Sequence, residues 1–270
     1  MVDFKKDTVK INGVDTVVYS AGKGEPLLFL HGAGTFHGFE FAKPWAEKFR
    51  VIHPYHPGFG ESGDDIAMDT INDYVMHYVE LLDTLGIDKV HLVGFSLGGH
   101  IAAQFASQQR DRVKTLVLVA PSGMRSEEYP PLDVLATPGD KLPGLLVSNF
   151  DVLKPWLPTG PDPEFMGARY RESTTFARLM WEKPLDQKFK RYLHRIKAPT
   201  LIVWGEEDKL VPYQQAELWR KALPNAKVQI FKGAGHLVLD EKPEAASAVA
   251  AFAAWRRDAE IDGRLQPAGP

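Results

Sequence analysis

Residues 94–99 read Gly94-Phe95-Ser96-Leu97-Gly98-Gly99 and lie between an apolar run, Val90 to Val93, and a stretch rich in Ala and Gln with helical character. A serine on a sharp strand-to-helix turn, with glycines on either side, lets neighbouring backbone come close, and the helix behind it points N–H groups at developing negative charge. Such a residue could attack a carbonyl. A serine hydroxyl is inert at its own pKa, so it needs a base, and the base needs an acid to hold its tautomer. His236, in Gly233-Ala234-Gly235-His236, follows the last apolar run and precedes a terminal helix-like stretch. Asp208, in Gly205-Glu206-Glu207-Asp208, follows the run Thr200 to Trp204. Glu206 and Glu207 compete for the acid's role, but their longer side chains suit solvent. Among the nine histidines, His91 falls inside a strand-like run and His77 and His100 on helix-like stretches, whereas His236 combines a loop position with the order serine, acid, histidine.

The loop His31-Gly32-Ala33-Gly34 also follows an apolar run, Leu27 to Leu30. It can aim a backbone N–H at an oxyanion. Leu97 N–H is the first expected donor of an oxyanion hole and Ala33 N–H the second, with Gly34 as the alternative. His53 and His56, three apart on an extended segment, point to opposite faces, and no carboxylate or thiolate neighbour completes a site. No metal and no cofactor are expected.

These residues need a scaffold that brings several strand ends together. The chain opens on a hairpin pattern, Thr8 to Ile11, Asn12-Gly13, then Thr16 to Tyr19. Short apolar runs follow at Leu27–Leu30, Val51–Ile52, Val90–Val93, Leu116–Val119, Leu201–Trp204 and Val228–Phe231, as in strands covered on both faces. Helix-like stretches lie at Phe41–Phe49, Ile71–Leu85, Leu97–Gln109, Gln214–Ala222 and Glu244–Arg256. The alternation predicts an α/β fold with a doubly wound, mostly parallel sheet. Ser122 to Arg195 breaks the rhythm: it is too long for a loop, holds nine of the 20 prolines and carries many aromatics, so it reads as an inserted lid. The expected organisation is a core of residues 1–121 and 196–257, a lid at 122–195 placed before the acid-bearing strand, and a polar tail at 258–270.

Composition narrows the class. The 270 residues are 44% hydrophobic and 25% charged with a net charge of −3, which excludes a disordered chain and gives no basic excess to neutralise nucleic acid or an anionic membrane. No apolar run reaches spanning length and no secretory h-region follows the early charges. With no cysteine, disulfides and a thiol nucleophile are out. The expected partner is a small-molecule substrate and the default location is the cytoplasm; nothing in the sequence sets an oligomeric state.

With these motifs in order, the chain resembles the α/β-hydrolase superfamily from the Asn12-Gly13 hairpin to the helix after Pro243, and within it lidded esterases, carbon-carbon bond hydrolases and cofactor-free haloperoxidase-like esterases. The resemblance implies a carboxylesterase-type serine hydrolase with a triad of Ser96, Asp208 and His236, acting through an acyl-enzyme on a small or medium apolar substrate. Carbon-carbon hydrolysis, lyase chemistry or perhydrolysis on the same triad is the alternative, and a ligand receptor on the same fold a further one. Ser96 argues against the dehalogenases and epoxide hydrolases of the superfamily, which attack with Asp. Some relatives carry the acid after the strand preceding the lid; here that place reads Pro121-Ser122-Gly123, without a carboxylate before Glu127. One departure is Tyr55, which stands where the family's Gly-x-Gly-x-Ser turn (Gly58 to Ser62) usually has Asp three residues ahead, and it puts the turn's hydrogen bonds in question.

Overall fold

The computed structural model describes residues 3–181 and 188–261. The hairpin forms as expected: β1 (Lys5–Ile11) pairs antiparallel with β2 (Val14–Ala21), Ile11 opposite Val14. Asn12 and Gly13 turn between them at φ 47° and 88°, the positive angles a type I′ turn requires. β3 (Glu25–Leu30), β4 (Phe49–Pro54), α1 (Ile71–Thr84), β5 (Val90–Phe95), α2 (Leu97–Gln108) and β6 (Val113–Val119) follow. After a helical excursion come β7 (Thr200–Gly205), then an α-helix at Gln215–Ala222, β8 (Ala226–Phe231), a short helical turn at Val238–Glu241 and a last helix at Pro243–Ile261. The eight strands form one sheet in the order β1-β2-β4-β3-β5-β6-β7-β8, parallel from β4 onward.

Every residue of β5 and β7 is buried, which a sheet achieves only when layers cover both faces. α1 and α2 pack together as one layer, and the last helix packs on β6, β7 and the segment after β3. That segment was expected to be an α-helix from Phe41 to Phe49. It is a 3-10 helix, Glu40–Glu47, with Pro44 inside, and Phe49 joins β4. Pro44 has no N–H to give a helical ladder, which favours the shorter, irregular form. Trp45 Nε1 donates to Ala246 O at 2.8 Å and ties it to the last helix. Thr70 starts α1 with a capping box, its side chain accepting from Asp73 N while Asp73 accepts from Thr70 N.

Between β6 and β7 the chain forms α3 (Leu142–Leu146), 3-10 turns at Phe150–Val152 and Lys154–Trp156, the long helix α4 (Pro163–Met180) and a 3-10 helix at Phe189–Arg195. Its aromatics divide: Phe189 packs on His100 and Trp219, whereas Tyr170 and Trp181 are about three-quarters exposed. Asp258 to Ile261, expected to begin the tail, continue the last helix; residues 262–270 lie outside the described residues. Among the described residues no helix is long and apolar enough to cross a membrane.

Candidate active site

β3 lies between β4 and β5, so the loops leaving β3 and β5 run to opposite sides and open a crevice at their C-terminal ends, the usual ligand position in such sheets. Ser96 stands there, half-buried, between β5 and α2 with φ 52° and ψ −114°, a left-handed conformation that costs about 1–3 kcal/mol and persists only where surroundings enforce it. They do: Ser96 N donates to Val119 O, and Ser96 O accepts from Gly99, His100 and Ser122 N–H groups. Leu97 opens α2, and Ala33 lies in the β3 loop, where a Cβ on its neighbour Gly32 would stand 3.3 Å from Ser96 Cβ. Among the described residues neither Leu97 N–H nor Ala33 N–H donates to another protein group.

Gly98 lets the helix come this close. A Cβ there would stand 2.1 Å from Leu30 O and 2.4 Å from His31 O, both unyielding backbone. Gly98→Ala is therefore expected to lose about 3 kcal/mol or more of stability, read as a lower urea midpoint; an unchanged midpoint would refute this packing.

Asp208 and His236 meet. His236 Nδ1 lies 2.7 Å from Asp208 Oδ2, and both residues are buried. Asp208 has four donors: Leu210 N and Val211 N on Oδ1 at 2.9 Å each, and Trp204 Nε1 (3.0 Å) with His236 Nδ1 on Oδ2. With every one of these partners a donor, Asp208 Oδ2 accepts from His236 Nδ1–H and so fixes that tautomer of the ring. Glu206 and Glu207 do not take this place; their backbone N–H groups donate to Phe231 O and Ala234 O. The His236 ring packs 4.9 Å from that of Phe95, the residue before Ser96.

Two holding networks escaped the sequence. His31 Nε2 accepts from His56 N–H at 2.8 Å, so its proton sits on Nδ1 and is donated to Gly32 O. His56 Nε2–H donates to His31 O at 2.7 Å, and Tyr78 O–H donates to His56 Nδ1. Every nitrogen has its role only in the neutral rings. Burial pushes His53 and His56 down to about 3, and His31 well below its ordinary value, with the neighbouring histidines adding to the effect. These histidines, tempting as metal ligands, brace the β3 loop instead. In the second network Glu241 accepts from Gly235 N (2.6 Å) beside His236 and from Ser148 N and Asn149 N of the segment between β6 and β7. Histidines 25 residues apart and an acid on a charged helical turn carry no sequence signal for either arrangement.

Of the residues flanking the motifs, His37, Phe41 and Phe95 line a narrow crevice of about 160 Å³ with Leu237, Leu239 and Asp240. Phe39 turns away and packs on Phe4, Tyr19 and His53. The turn after Tyr55 is bonded without an aspartate: Ser62 Oγ donates to Tyr55 O and accepts from Val17 N, and Gly60 N donates to Glu172 of α4.

The fold and this constellation define a class. Residues 25–243 match the family model described as alpha/beta hydrolase fold. The chain is 29% identical over 256 residues to Lipase 1 of Psychrobacter immobilis, covering 88% of this chain and 80% of that protein. It is 31% identical over 246 residues to a 2-hydroxy-6-oxononadienedioate/2-hydroxy-6-oxononatrienedioate hydrolase of Paraburkholderia phymatum, covering 80% and 82%. Among solved structures, the 2-hydroxy-6-oxo-6-phenylhexa-2,4-dienoate hydrolase from Rhodococcus superposes with a TM-score of 0.78 at 21% identity, over 94% of this chain and all of the other. The chain belongs to the alpha/beta hydrolase fold family and is a hydrolase of it.

Proposed function

We propose that Ser96, His236 and Asp208 are a catalytic triad that hydrolyses the carboxylic ester of a small or medium apolar substrate. The observation that carries this is the 2.7 Å Asp208–His236 contact at the crevice where Ser96 is held at φ 52°. With Nδ1–H given to Asp208, His236 has Nε2 free to take the Ser96 proton as Oγ attacks the carbonyl. The oxyanion of the tetrahedral intermediate accepts from Leu97 and Ala33 N–H. Collapse breaks the ester bond, the alcohol leaves with the proton from Nε2, and water, deprotonated by the same nitrogen, releases the acid and restores Ser96. No cofactor enters.

Residues 122–195 act as the lid. Through Glu172 of α4 this segment reaches Thr35 in the loop after β3, beside the site, and a substrate enters past it. The partner is a small molecule; the net charge of −3 gives no basic excess to attract nucleic acid or an anionic membrane, and the cytoplasm is the default setting. Carbon-carbon hydrolysis is the second reading, favoured by the relatives named for it.

The test is a panel of p-nitrophenyl esters of increasing chain length beside a vinylogous 1,5-diketone acid. Expected are a nitrophenol burst matching the enzyme concentration, steady turnover best on apolar acyl chains, and a phosphonate adduct on Ser96 by mass spectrometry. Faster turnover of the diketone favours the second reading; no adduct and no turnover of either refutes the triad.

A further inference from the structure

Glu172 lies mid-way along α4, in a stretch whose residues 169–172 read Arg-Tyr-Arg-Glu, yet it is only 2% exposed. Its carboxylate reaches out of the insertion into the core. Oε1 accepts from Thr35 Oγ1 at 2.6 Å and from Gly60 N at 3.0 Å. Oε2 receives Arg169 Nη1 at 2.5 Å and a longer contact from Thr35 N at 3.4 Å. Thr35 is two residues from Ala33. A Cβ on the intervening Gly34 would lie 3.9 Å from Glu172 Oε2 and 3.7 Å from Arg169 Nη1, so this backbone runs directly beside the ion pair. The Arg169 guanidinium lies over the Phe36 and Phe165 rings at 5.3 and 5.4 Å and extends the grip by one more residue.

A buried carboxylate is costly unless its lone pairs are filled, and Glu172 has four donors from three elements. Two elements, the loop after β3 and the Gly58 to Gly63 turn, owe part of their hydrogen bonding to it. The turn lacks an acidic residue at Tyr55, and a carboxylate reaches it from α4. Arg178 also docks α4, through a bidentate pair with Asp64 at 2.7 and 3.2 Å, but touches neither Thr35 nor Gly60.

We propose that Glu172 is a positioning residue for the oxyanion loop: through Thr35 it sets where Ala33 N–H points, so the oxyanion hole is complete only while α4 is docked. This rests on the triad and oxyanion reading above. It makes substrate cover and charge stabilisation one event, because lifting α4 takes away the carboxylate that holds the loop.

The experiment compares Glu172→Met, Glu172→Gln, Thr35→Val and Arg178→Ala on a p-nitrophenyl ester, with folding checked by circular dichroism. Loss of one oxyanion donor costs about 10²–10³ in kcat, and a loosened one less. Glu172→Met is expected to lower kcat about 10- to 100-fold with KM within about threefold. Glu172→Gln, which keeps a carbonyl oxygen for Thr35 Oγ–H and Gly60 N–H, restores most of kcat. Thr35→Val lowers kcat several-fold and adds little to Glu172→Met, since one contact is being removed twice. Arg178→Ala stays within about threefold of the parent. An unchanged kcat in Glu172→Met, or an equal fall in Arg178→Ala, overturns the proposal. If Glu172→Met does not fold, Thr35→Val decides: a parental kcat overturns it. If the parent turns over no ester, the ester reading fails on its own. The positioning claim is then read by amide exchange, which Glu172→Met must speed at Thr35 and Gly60 by about tenfold relative to Arg178→Ala, with Glu172→Gln largely sparing Gly60; equal exchange in Glu172→Met and Arg178→Ala overturns it.

Discussion

Asp208→Asn is expected to lower kcat at neutral pH about 10³- to 10⁴-fold, against about 10⁶-fold for Ser96→Ala, with circular dichroism unchanged in both. The reason lies in the four donors that converge on Asp208. An amide has one acceptor oxygen. If that oxygen stays on Leu210 N and Val211 N, the NH₂ faces Trp204 Nε1–H and His236 Nδ1–H. His236 then moves its proton to Nε2 to accept from the amide, and a protonated Nε2 cannot take the Ser96 proton. If the amide turns over, the NH₂ meets the two backbone donors instead, each orphan costing about 1–3 kcal/mol. Both orientations fail, the first in chemistry and the second in stability. Steady-state kinetics and urea melts of the variant distinguish them, and a kcat within tenfold of the parent would remove Asp208 from the mechanism.

The second large effect is on acid stability. His53 and His56 are held to about 3 and His31 well below its ordinary value, all chiefly by burial. In the unfolded chain each titrates near 6.5. Below that pH the unfolded state binds protons that the native state refuses, so stability falls as pH drops from about 6.5 toward 3, by about 1.4 kcal/mol per unit for each histidine. Two units below 6.5, His53 and His56 together remove roughly 5 kcal/mol, a large share of the whole stability of a domain, and His31 adds in the same direction. His77, held to about 4 by burial, adds to the slope. Urea unfolding followed against pH is expected to show steep loss from pH 6.5 to about 4.5, and His56→Gln to remove about one proton from that slope. A flat profile from pH 7 to 5 would show that these rings are charged or exposed. The acid limb also reaches the site, because a proton on His31 Nε2 displaces His56 N–H and frees the loop that carries Ala33.

What the sequence discloses depends on range. Strands β5 to β7 are legible because burial on both faces leaves mostly apolar side chains, with His91, Lys114, Thr115 and Thr200 the exceptions, and the type I′ turn because Asn12-Gly13 adopts its angles at little cost. The segment after β3 misleads: its apolar spacing is helical, but Pro44 denies it the ladder and Phe49 is drawn into β4. Of the proposed triad, Ser96 announces itself by its glycines, and Asp208 and His236 by following strands in the right order, though 28 residues apart. The supports are silent. Glu172 sits among charged neighbours on a helix that reads as solvent-facing, and it is buried by the approach of the loop after β3 and the Gly58 to Gly63 turn. The exchange of hydrogen bonds between His31 and His56 depends on β3 and β4 lying side by side, which no local pattern encodes.

The parallel pairing of β6 with β7, Leu116 opposite Thr200, has a consequence for synthesis on the ribosome. The elbow is complete once β5, α2 and β6 have emerged, but the acid and the histidine come only after β7 and β8. Until then the whole insertion must be translated while β6 presents an unpaired edge and the apolar side chains destined for β7 have nothing to cover them. Nascent chains thus pass through an interval with an orphan serine and an open template for foreign strands.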